Sequence, residues 1–421
     1  MKRLFIVFLF ATSVYAQIEF NKYFLPKTLR LDYYHNGDKN TEVVSFDKLI
    51  EEPYWGGSYK NLVDTLKYGN YYLHVYDDST GTEIYSRGFS DLFQEWQTTE
   101  EAKHVFRSMQ GSVVMPFPKN KIRIQIDRRN RKNIFEKKFE YTVDPKSYFI
   151  IKEQKVKYPS FRVLYSGLSE KKLDIVIVPE GYTKEEMSKF KEDCKKFVGY
   201  LFSYSPFKEF KNKFNIWGIE APSIEDGTDI PGENVWKNTL LNSHFYTFGS
   251  ERYLMTTDYF LVRDVASNAP YDQIFILVNT SKYGGGAVYN YYTLSAIDNR
   301  LSKQIIVHEF GHGLAGLADE YGNDNTYQDM YPTDVEPWEP NLTTLVNFSS
   351  KWEKLIKPGT PIPTPPTEKY KNTIGVFEGG GYVEKGVYRP TLNSIMNSFS
   401  SNEFNEVCKL AIIKIIDFYT N

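Results

Sequence analysis

Alternating apolar and polar residues fill the first third of the chain in short runs. Apolar residues at every second position are typical of half-buried strands. Turn signals such as Asn36-Gly37 and Thr80-Gly81 separate the runs, which lie at 28–34, 71–76, 112–115 and 121–126. Many short strands without helical crossovers predict a β-sandwich-like N-terminal domain over residues 17–147.

From about residue 173 the spacing changes, and continuous apolar runs alternate with helical patterns. Buried strands are predicted at 174–178, 214–219 and 273–278, and helices at 184–201 and 259–266. Strands that alternate with helices predict an α/β layer built on a mainly parallel sheet. We therefore predict a fold of α+β or α/β class, with a linker at 148–165 and a second domain over 166–421.

The N-terminus has the pattern of a secretory signal peptide. Lys2 and Arg3 precede an apolar run at 4–10, and small residues lead to a cleavage site after Ala16. The alternative is a strand that stays in the mature protein. No run approaches the roughly 20 apolar residues of a membrane span, so we expect no transmembrane segment. We predict a protein that is secreted or periplasmic, with a signal peptide at 1–16.

Charge and cysteine content narrow the function classes only slightly. The formal net charge of −2 over 421 residues argues against nucleic acid as a partner. The two cysteines, Cys194 and Cys408, either form one disulfide or remain as two buried thiols. Neither has the spacing of a metal ligand, so the chemistry must lie elsewhere.

A five-residue motif, His308-Glu309-Phe310-Gly311-His312, carries the chemistry. Residues four apart are neighbours on a helix, so both imidazoles can bind one metal ion. Glu309 lies beside them, where it can accept a proton from a metal-bound water. The motif predicts one Zn²⁺ per chain, with Glu309 as the catalytic base of a hydrolase. The alternative is a chance match on a core or solvated helix.

The third metal ligand requires a bend in the chain. An unbroken helix would place Asp319 about 10 Å along the axis from His312, whereas a zinc–ligand bond measures about 2 Å. Gly316 can adopt the left-handed conformation that ends a helix and turns the chain back. We predict Asp319 as the third ligand, and Glu320 remains its competitor.

Together these residues resemble the metzincins, in which a methionine turn lies beneath the zinc site. Residues 393–398 resemble that turn, with Met396 as its base, although the usual third-ligand position is occupied here by Ala318. The longer string at 308–321, including its extra residue, is similar to the IgA-specific metallopeptidase family. The stretches at 174–183 and 379–390 also resemble this family, and the similarity covers 166–421, with a weaker one before it.

The resemblance implies a metzincin-like zinc peptidase domain and a secreted zinc endopeptidase. Its substrates would be proteins or glycoproteins, with immunoglobulin A as one candidate. It suggests that an edge strand within 284–295 holds substrate, although an ordinary hairpin is equally consistent with the sequence. Tyr388, with Arg389, is a candidate catalytic residue that stabilises the carbonyl oxygen, but its distance from the turn departs from the relatives. The loop-rich stretch at 322–382 is expected to form a cleft wall.

Two other functions are compatible with these residues. One is a non-catalytic secreted module that binds glycan or protein and holds a structural zinc, and the other is a zinc hydrolase that acts on an amide or ester of a glycan. A structural zinc site needs no general base and favours four protein ligands, so Glu309 and the three-ligand set favour catalysis. Residues 17–147 show no catalytic cluster, and we expect this domain to be dispensable for cleavage of short peptides.

Overall fold

The structure is a computed structural model that describes residues 17–152, 157–322 and 330–421. The predicted signal peptide, 1–16, lies outside these residues. Within them, no helix combines the length and the apolar character needed to cross a membrane.

The first domain is a pair of four-stranded sheets, as the alternating pattern predicts. One sheet has the order β5-β1-β2-β8 and the other the order β4-β3-β6-β7. Leu31 of β1 and Val75 of β3 belong to one buried cluster, which shows that the two sheets share a core. The elements of this part are α1 (Phe20–Tyr23), β1 (Phe24–Gly37), β2 (Glu42–Glu52), β3 (Tyr71–Asp77), β4 (Glu83–Phe89), α2 (Leu92–Trp96), β5 (Arg107–Pro118), β6 (Ile122–Arg129), β7 (Phe135–Val143) and β8 (Ile150–Ile151).

The second domain is built on a six-stranded sheet with the order β13-β14-β12-β10-β11-β9. Its four central strands are parallel, and the two edge strands, β9 and β13, run antiparallel to their neighbours. The prediction of a mainly parallel sheet is therefore confirmed for the sheet centre. The strands are β9 (Ser160–Leu164), β10 (Leu173–Glu180), β11 (Phe214–Ile219), β12 (Gln273–Val278), β13 (Gly285–Val288) and β14 (Tyr292–Ala296).

Alternate residues of the central strand β10 serve two separate cores. Ile175 and Ile177 pack in a cluster with the long helices, whereas Val176 and Val178 pack with the short helix on the opposite face. Burial on both faces explains why this strand is apolar throughout. The helices are α3 (Met187–Leu201), α4 (Tyr259–Ala266), α5 (Ser302–Ala315) and α6 (Glu406–Thr420), and a hairpin of β15 (Phe377–Gly380) and β16 (Val383–Arg389) precedes α6.

The two domains are not independent bodies. Leu92, Phe93 and Trp96 of α2 are buried in the same cluster as β10 and α4 of the second domain. Arg30 of β1 also forms an ion pair of 2.7 Å with Asp264 of α4. The segment predicted as a linker contains β8, which pairs with β2, and β9, which joins the six-stranded sheet. The shared core gives the first domain a structural role as well, and its dispensability for cleavage of short peptides stays a prediction.

The cysteines do not form a disulfide. Cys194 of α3 and Cys408 of α6 are both buried free thiols. Of the two states that the sequence left open, the structure has the reduced pair.

Candidate metal centre and active-site cleft

Helix α5 brings the two motif imidazoles together. The Nε2 atoms of His308 and His312 lie 3.1 Å apart. Each Nδ1 atom contacts a backbone carbonyl, that of Ile395 at 3.0 Å and that of Leu317 at 2.6 Å. When Nδ1–H donates to a carbonyl, the lone pair remains on Nε2, so both rings are oriented as metal ligands.

The helix ends at Gly316, as predicted from the sequence. This residue has φ +60° and ψ 32°, and its N–H group bonds the carbonyls of Gly311 and His312. A Cβ atom at this position would lie 2.6 Å from the Trp338 ring. Glycine is therefore required both by the left-handed conformation and by the close approach of the indole.

The chain turned back at Gly316 carries Asp319 to the imidazole pair. Its Oδ1 atom lies 3.2 Å from Nε2 of His308 and 3.5 Å from Nε2 of His312. Tyr382 donates a hydrogen bond of 2.7 Å to the other carboxylate oxygen, Oδ2. We call His308, His312 and Asp319 the tripod.

The tripod has the dimensions of a zinc site. The distances between its three coordinating atoms, two Nε2 and one Oδ1, are 3.1, 3.2 and 3.5 Å. In a tetrahedral zinc site, ligand atoms at about 2.0–2.1 Å from the metal lie about 3.3 Å from one another. The Oδ1 atom of Asp319 is buried, and it accepts no hydrogen bond within the described ranges. A buried carboxylate oxygen without a donor is costly unless a cation compensates it. The donor set of two nitrogens and one oxygen fits Zn²⁺.

Glu320 faces the opposite way, into the protein interior. Its carboxylate accepts hydrogen bonds from Asn341 at 3.0 Å, from Asn405 at 2.8 Å and from Ser394. Its N–H group donates to the Met396 carbonyl at 2.8 Å. Burial raises the pKa of this carboxyl group, and the hydrogen bonds oppose that effect. Glu320 thus connects the end of the helix to the methionine turn, and its carboxylate oxygens are engaged in these hydrogen bonds.

The methionine turn lies beneath α5. Ser394 accepts hydrogen bonds from the N–H groups of Asn397 and Ser398, which closes a tight turn. Met396 is fully buried at this turn. A Cβ atom at Gly311, on the helix above, would lie 3.2 Å from the Met396 sulfur. The turn therefore supports the helix that carries the imidazoles, as the sequence comparison suggested for Met396.

Glu309 is the second carboxylate near the imidazoles. Its ligand atom and those of His308 and His312 all lie within 4.8 Å of one another, so this trio alone could also hold a cation. Asp319 approaches the imidazoles more closely, at 3.2 and 3.5 Å. Burial raises the pKa of Glu309, against the charges of the two histidines. By these distances Asp319 completes the tripod, and Glu309 lies beside it.

The tripod is electrostatically coupled. Burial would raise the pKa of Asp319, but the charge of His312 and the close approach of both imidazoles to Oδ1 hold it well below its usual range. Burial would lower the pKa of His312, yet Asp319 raises it to about 9. The carboxylate is thus strongly stabilised in its charged form. A metal ion that binds here competes with protons on the imidazoles.

The tripod opens into a cleft of about 780 Å³ between the two domains. Residues from β13 form one side, and Glu309 lies next to them, since a Cβ atom at Gly285 would be 3.0 Å from its Cγ atom. The first domain supplies the other side through residues such as Gln94, Arg129 and Arg131. The strand β13 pairs with β14 on one side. On its other side, Gly285 forms an isolated bridge with Tyr253 and accepts a hydrogen bond of 3.3 Å from the Leu254 N–H group, so the outer edge is already covered at its first residue.

Tyr388 does not reach this cleft. It lies on β16, where it packs against the cluster of Phe348 and Trp352, and it is absent from the described lining of the cleft. Tyr321 and Tyr382 line the cleft instead, with their ring centroids 5.4 Å apart. The structure thus moves the candidate role from Tyr388 to tyrosines nearer the tripod.

Arg252 completes this side of the cleft. Its Nη2 atom donates to the Tyr321 hydroxyl at 2.9 Å. Tyr321 could have been found from the sequence, because it follows the predicted ligand by two positions in the family-like string. Tyr382 lies in the family-like stretch at 379–390, whereas no motif marks Arg252.

Comparison with known families agrees with this architecture. The profile described as IgA Peptidase M64 matches residues 162–372 and 366–416. A second profile, described as Peptidase M64 N-terminus, matches residues 19–140. No curated protein matches the chain. The two profiles correspond to the two structural domains, and we conclude that this chain is a peptidase that belongs to the IgA peptidase M64 family.

Proposed function

We propose that this peptidase is a secreted zinc-dependent endopeptidase with a metzincin-like catalytic domain. The observation that carries the proposal is the tripod, whose edges of 3.1, 3.2 and 3.5 Å match a tetrahedral zinc site with one position left for water. His308, His312 and Asp319 would hold one zinc ion per chain. When bound, this ion polarises the scissile carbonyl and lowers the pKa of the attacking water.

Glu309 moves the proton in this mechanism. It accepts a proton from the attacking water and then delivers it to the leaving amine. Its position one residue after a ligand keeps it beside the centre, and its burial raises its pKa toward the range of a useful acid and base. Tyr382 orients Asp319 by its hydrogen bond of 2.7 Å to Oδ2.

Arg252 and Tyr321 stabilise charge on the substrate. Both line the cleft next to the tripod, and their mutual hydrogen bond of 2.9 Å fixes the geometry. A cation and a phenol in a partly desolvated cleft can donate hydrogen bonds to the carbonyl oxygen as it becomes negative. This pair takes the role that the sequence suggested for Tyr388.

The substrate is an extended segment of a secreted protein or glycoprotein. Its backbone pairs with the part of β13 that lines the cleft beyond the bridge between Gly285 and Tyr253, and such backbone pairing accepts any side-chain sequence. The signal-peptide pattern at 1–16 supports a location outside the cytoplasm, in the periplasm or the medium. Immunoglobulin A is a candidate substrate on the basis of the family description alone.

The test separates catalysis from a structural zinc. We expect Glu309→Gln to retain one zinc per chain and to lose at least about 10²-fold in peptide hydrolysis, since general acid–base groups contribute about 10²–10⁴-fold. Glu185→Gln, at an exposed position before α3, is the matched control and should keep full activity. Metal analysis and cleavage of a protein-derived peptide library, with and without a chelator, provide both readouts. Unchanged hydrolysis by Glu309→Gln would refute the proposal.

A further inference from the structure

A half-buried tryptophan, Trp338, lines the active-site cleft close to the tripod. Its six-membered ring packs against the end of α5, where a Cβ atom at Gly316 would lie 2.6 Å from it. Its ring centroid lies 5.4 Å from that of Tyr289, the residue that follows β13. Leu317, next to Gly316, also lines the cleft, and its carbonyl contacts the His312 imidazole. The indole therefore lies between the end of the metal helix and the end of the strand that lines the cleft.

The side chains around the indole are apolar. Val288 and Tyr289 at the end of β13 and Leu317 at the end of α5 are buried, and all three line the same cleft as Trp338. Gly316 adds no side chain between them. We call these five residues, Val288, Tyr289, Gly316, Leu317 and Trp338, the tryptophan subsite.

The tip of the indole is held by the first domain. Its Nε1–H group donates a hydrogen bond of 2.9 Å to Oδ1 of Asn70. Tyr68 of the same domain packs against the ring, with the two centroids 6.1 Å apart. The N–H group is the only hydrogen-bonding group of a tryptophan side chain. Because Asn70 already satisfies it, the part of Trp338 that faces the cleft can offer only apolar contact.

The backbone on both sides of Trp338 is fixed as well. The Lys351 ammonium donates hydrogen bonds of 2.6 Å to the carbonyls of Pro337 and Glu339, the two residues that flank the tryptophan. The indole is thus held at its tip and at its base. A side chain that is already ordered loses little conformational freedom when a ligand contacts it.

A rigid indole that keeps part of its apolar surface open to a cleft is suited to bind a ligand. Removal of apolar surface from water is favourable, and an apolar group that covers the ring supplies that gain. Tryptophan is also among the residue types most enriched where a few side chains provide most of the binding energy. The chemistry of the tryptophan subsite therefore favours an apolar group over a charged or polar one.

We propose that the tryptophan subsite binds an apolar side chain of the peptide substrate, either aliphatic or aromatic. The inference rests on the proposed function, because it assigns a specificity to the same cleft. Glu309 lies at the first residue of β13, Gly285, and the strand runs from there to Val288. At about 3.3 Å per residue these two ends lie about 10 Å apart. A substrate that follows β13 therefore reaches the tryptophan subsite about three residues from the scissile bond, and on one side of it only.

The experiment uses the full-length zinc enzyme and a peptide library derived from a digested proteome. Cleavage sites are identified by mass spectrometry, and the amino-acid frequencies on either side of each cut are compared with those of the uncut library. The test variant is Trp338→Gln, which removes the ring and keeps an N–H donor in the side chain. The matched control is Trp236→Gln, since Trp236 is 64% exposed and is not among the described residues that line the cleft.

We expect the wild type and the control to cut preferentially where one position, about three residues from the cut on one side, is apolar. A library-derived peptide with leucine at that position is then compared with the same peptide carrying alanine there. One missing methylene group in an apolar pocket lowers kcat/KM by about 10- to 200-fold. Because the tryptophan subsite is open to the cleft, we expect leucine to exceed alanine by about 5- to 50-fold in the wild type.

The Trp338→Gln variant should cut the two peptides at similar rates. It should lose activity mainly on the leucine peptide and retain one zinc per chain, because no tripod residue is changed. If this variant does not fold, Asn70→Ala takes its place, since it keeps the ring and releases the indole N–H group from its anchor. The leucine-to-alanine ratio should then fall at least about 2-fold, because the indole must be ordered when the substrate binds.

The outcomes distinguish the two proposals. Cuts without an apolar preference at one such position, or a leucine-to-alanine ratio that stays at the wild-type value in the variant measured, overturn this inference and leave the zinc mechanism intact. An equal loss on both peptides also contradicts it, because it reports a structural effect instead of side-chain recognition. Absence of any zinc-dependent cleavage, or full cleavage by Glu309→Gln, overturns the proposed function itself.

Discussion

Replacing Gly316 with alanine tests the bend that brings the third ligand to the imidazoles. The residue has φ +60°, and a Cβ atom there would lie 2.6 Å from the Trp338 ring. The left-handed conformation costs a non-glycine residue about 1–2 kcal/mol, and overpacking adds about 1–3 kcal/mol. We therefore expect Gly316→Ala to lower the free energy of unfolding by about 2–5 kcal/mol. It should also lower zinc affinity, because relief of the clash displaces Asp319.

Gly81→Ala separates the two contributions. Gly81 has φ +70°, and a Cβ atom there meets nothing within 4 Å. This control should show only the conformational cost of about 1–2 kcal/mol. Urea unfolding followed by tryptophan fluorescence and metal analysis after dialysis are the two measurements. If both variants lose equal stability and Gly316→Ala retains full zinc, then the geometry of this bend does not position the third ligand.

Three further predictions concern the ligand, the tyrosines and pH. Asp319→Ala should lose zinc on dialysis. Glu320→Gln should retain zinc but unfold at a lower urea concentration, because the substitution disturbs the buried hydrogen bonds of Glu320. Loss of zinc in Glu320→Gln and its retention in Asp319→Ala would exchange the roles of the two residues. Tyr321→Phe should lower kcat at least several-fold through loss of its cleft hydroxyl, and Tyr388→Phe should not; equal rates would remove the tyrosine from the mechanism. His35 is buried between the carboxylates of Asp91 and Glu42. Burial lowers its pKa, but the two carboxylates have the larger effect and raise it to about 9. Its stabilising effect is therefore complete below about pH 6.5 and disappears as pH rises through about 9. The unfolding free energy should fall between pH 7 and pH 9, and less so in His35→Gln.

The tripod was accessible from the sequence because its determinants are local. A four-residue helical spacing brings the two imidazoles together, and one left-handed glycine, Gly316, returns the chain to them. The choice of Asp319 over Glu320 depends on partners distant in the sequence, such as Asn405, which occupies the Glu320 carboxylate at 2.8 Å. No local pattern reveals such a partner, so the sequence could only rank the two residues.

The domain interface and the position of Tyr382 beside Asp319 could not be predicted from local sequence patterns. The five-residue helix α2 buries Trp96 in the core of the second domain, yet its sequence resembles a short amphipathic turn. Tyr382 reaches Asp319 from a turn in which it adopts φ +71°, a conformation set by the pairing of β15 with β16. Both outcomes depend on tertiary contacts, which override local preference.

The most direct test of the central claim is the position of the metal ion. Crystals of the full-length zinc enzyme, measured on both sides of the zinc absorption edge, should give one anomalous peak per chain. The account predicts this peak at about 2 Å from Nε2 of His308, Nε2 of His312 and Oδ1 of Asp319. A peak bound by Glu309 or Glu320 in place of Asp319, or no zinc at the tripod in an active enzyme, would contradict it.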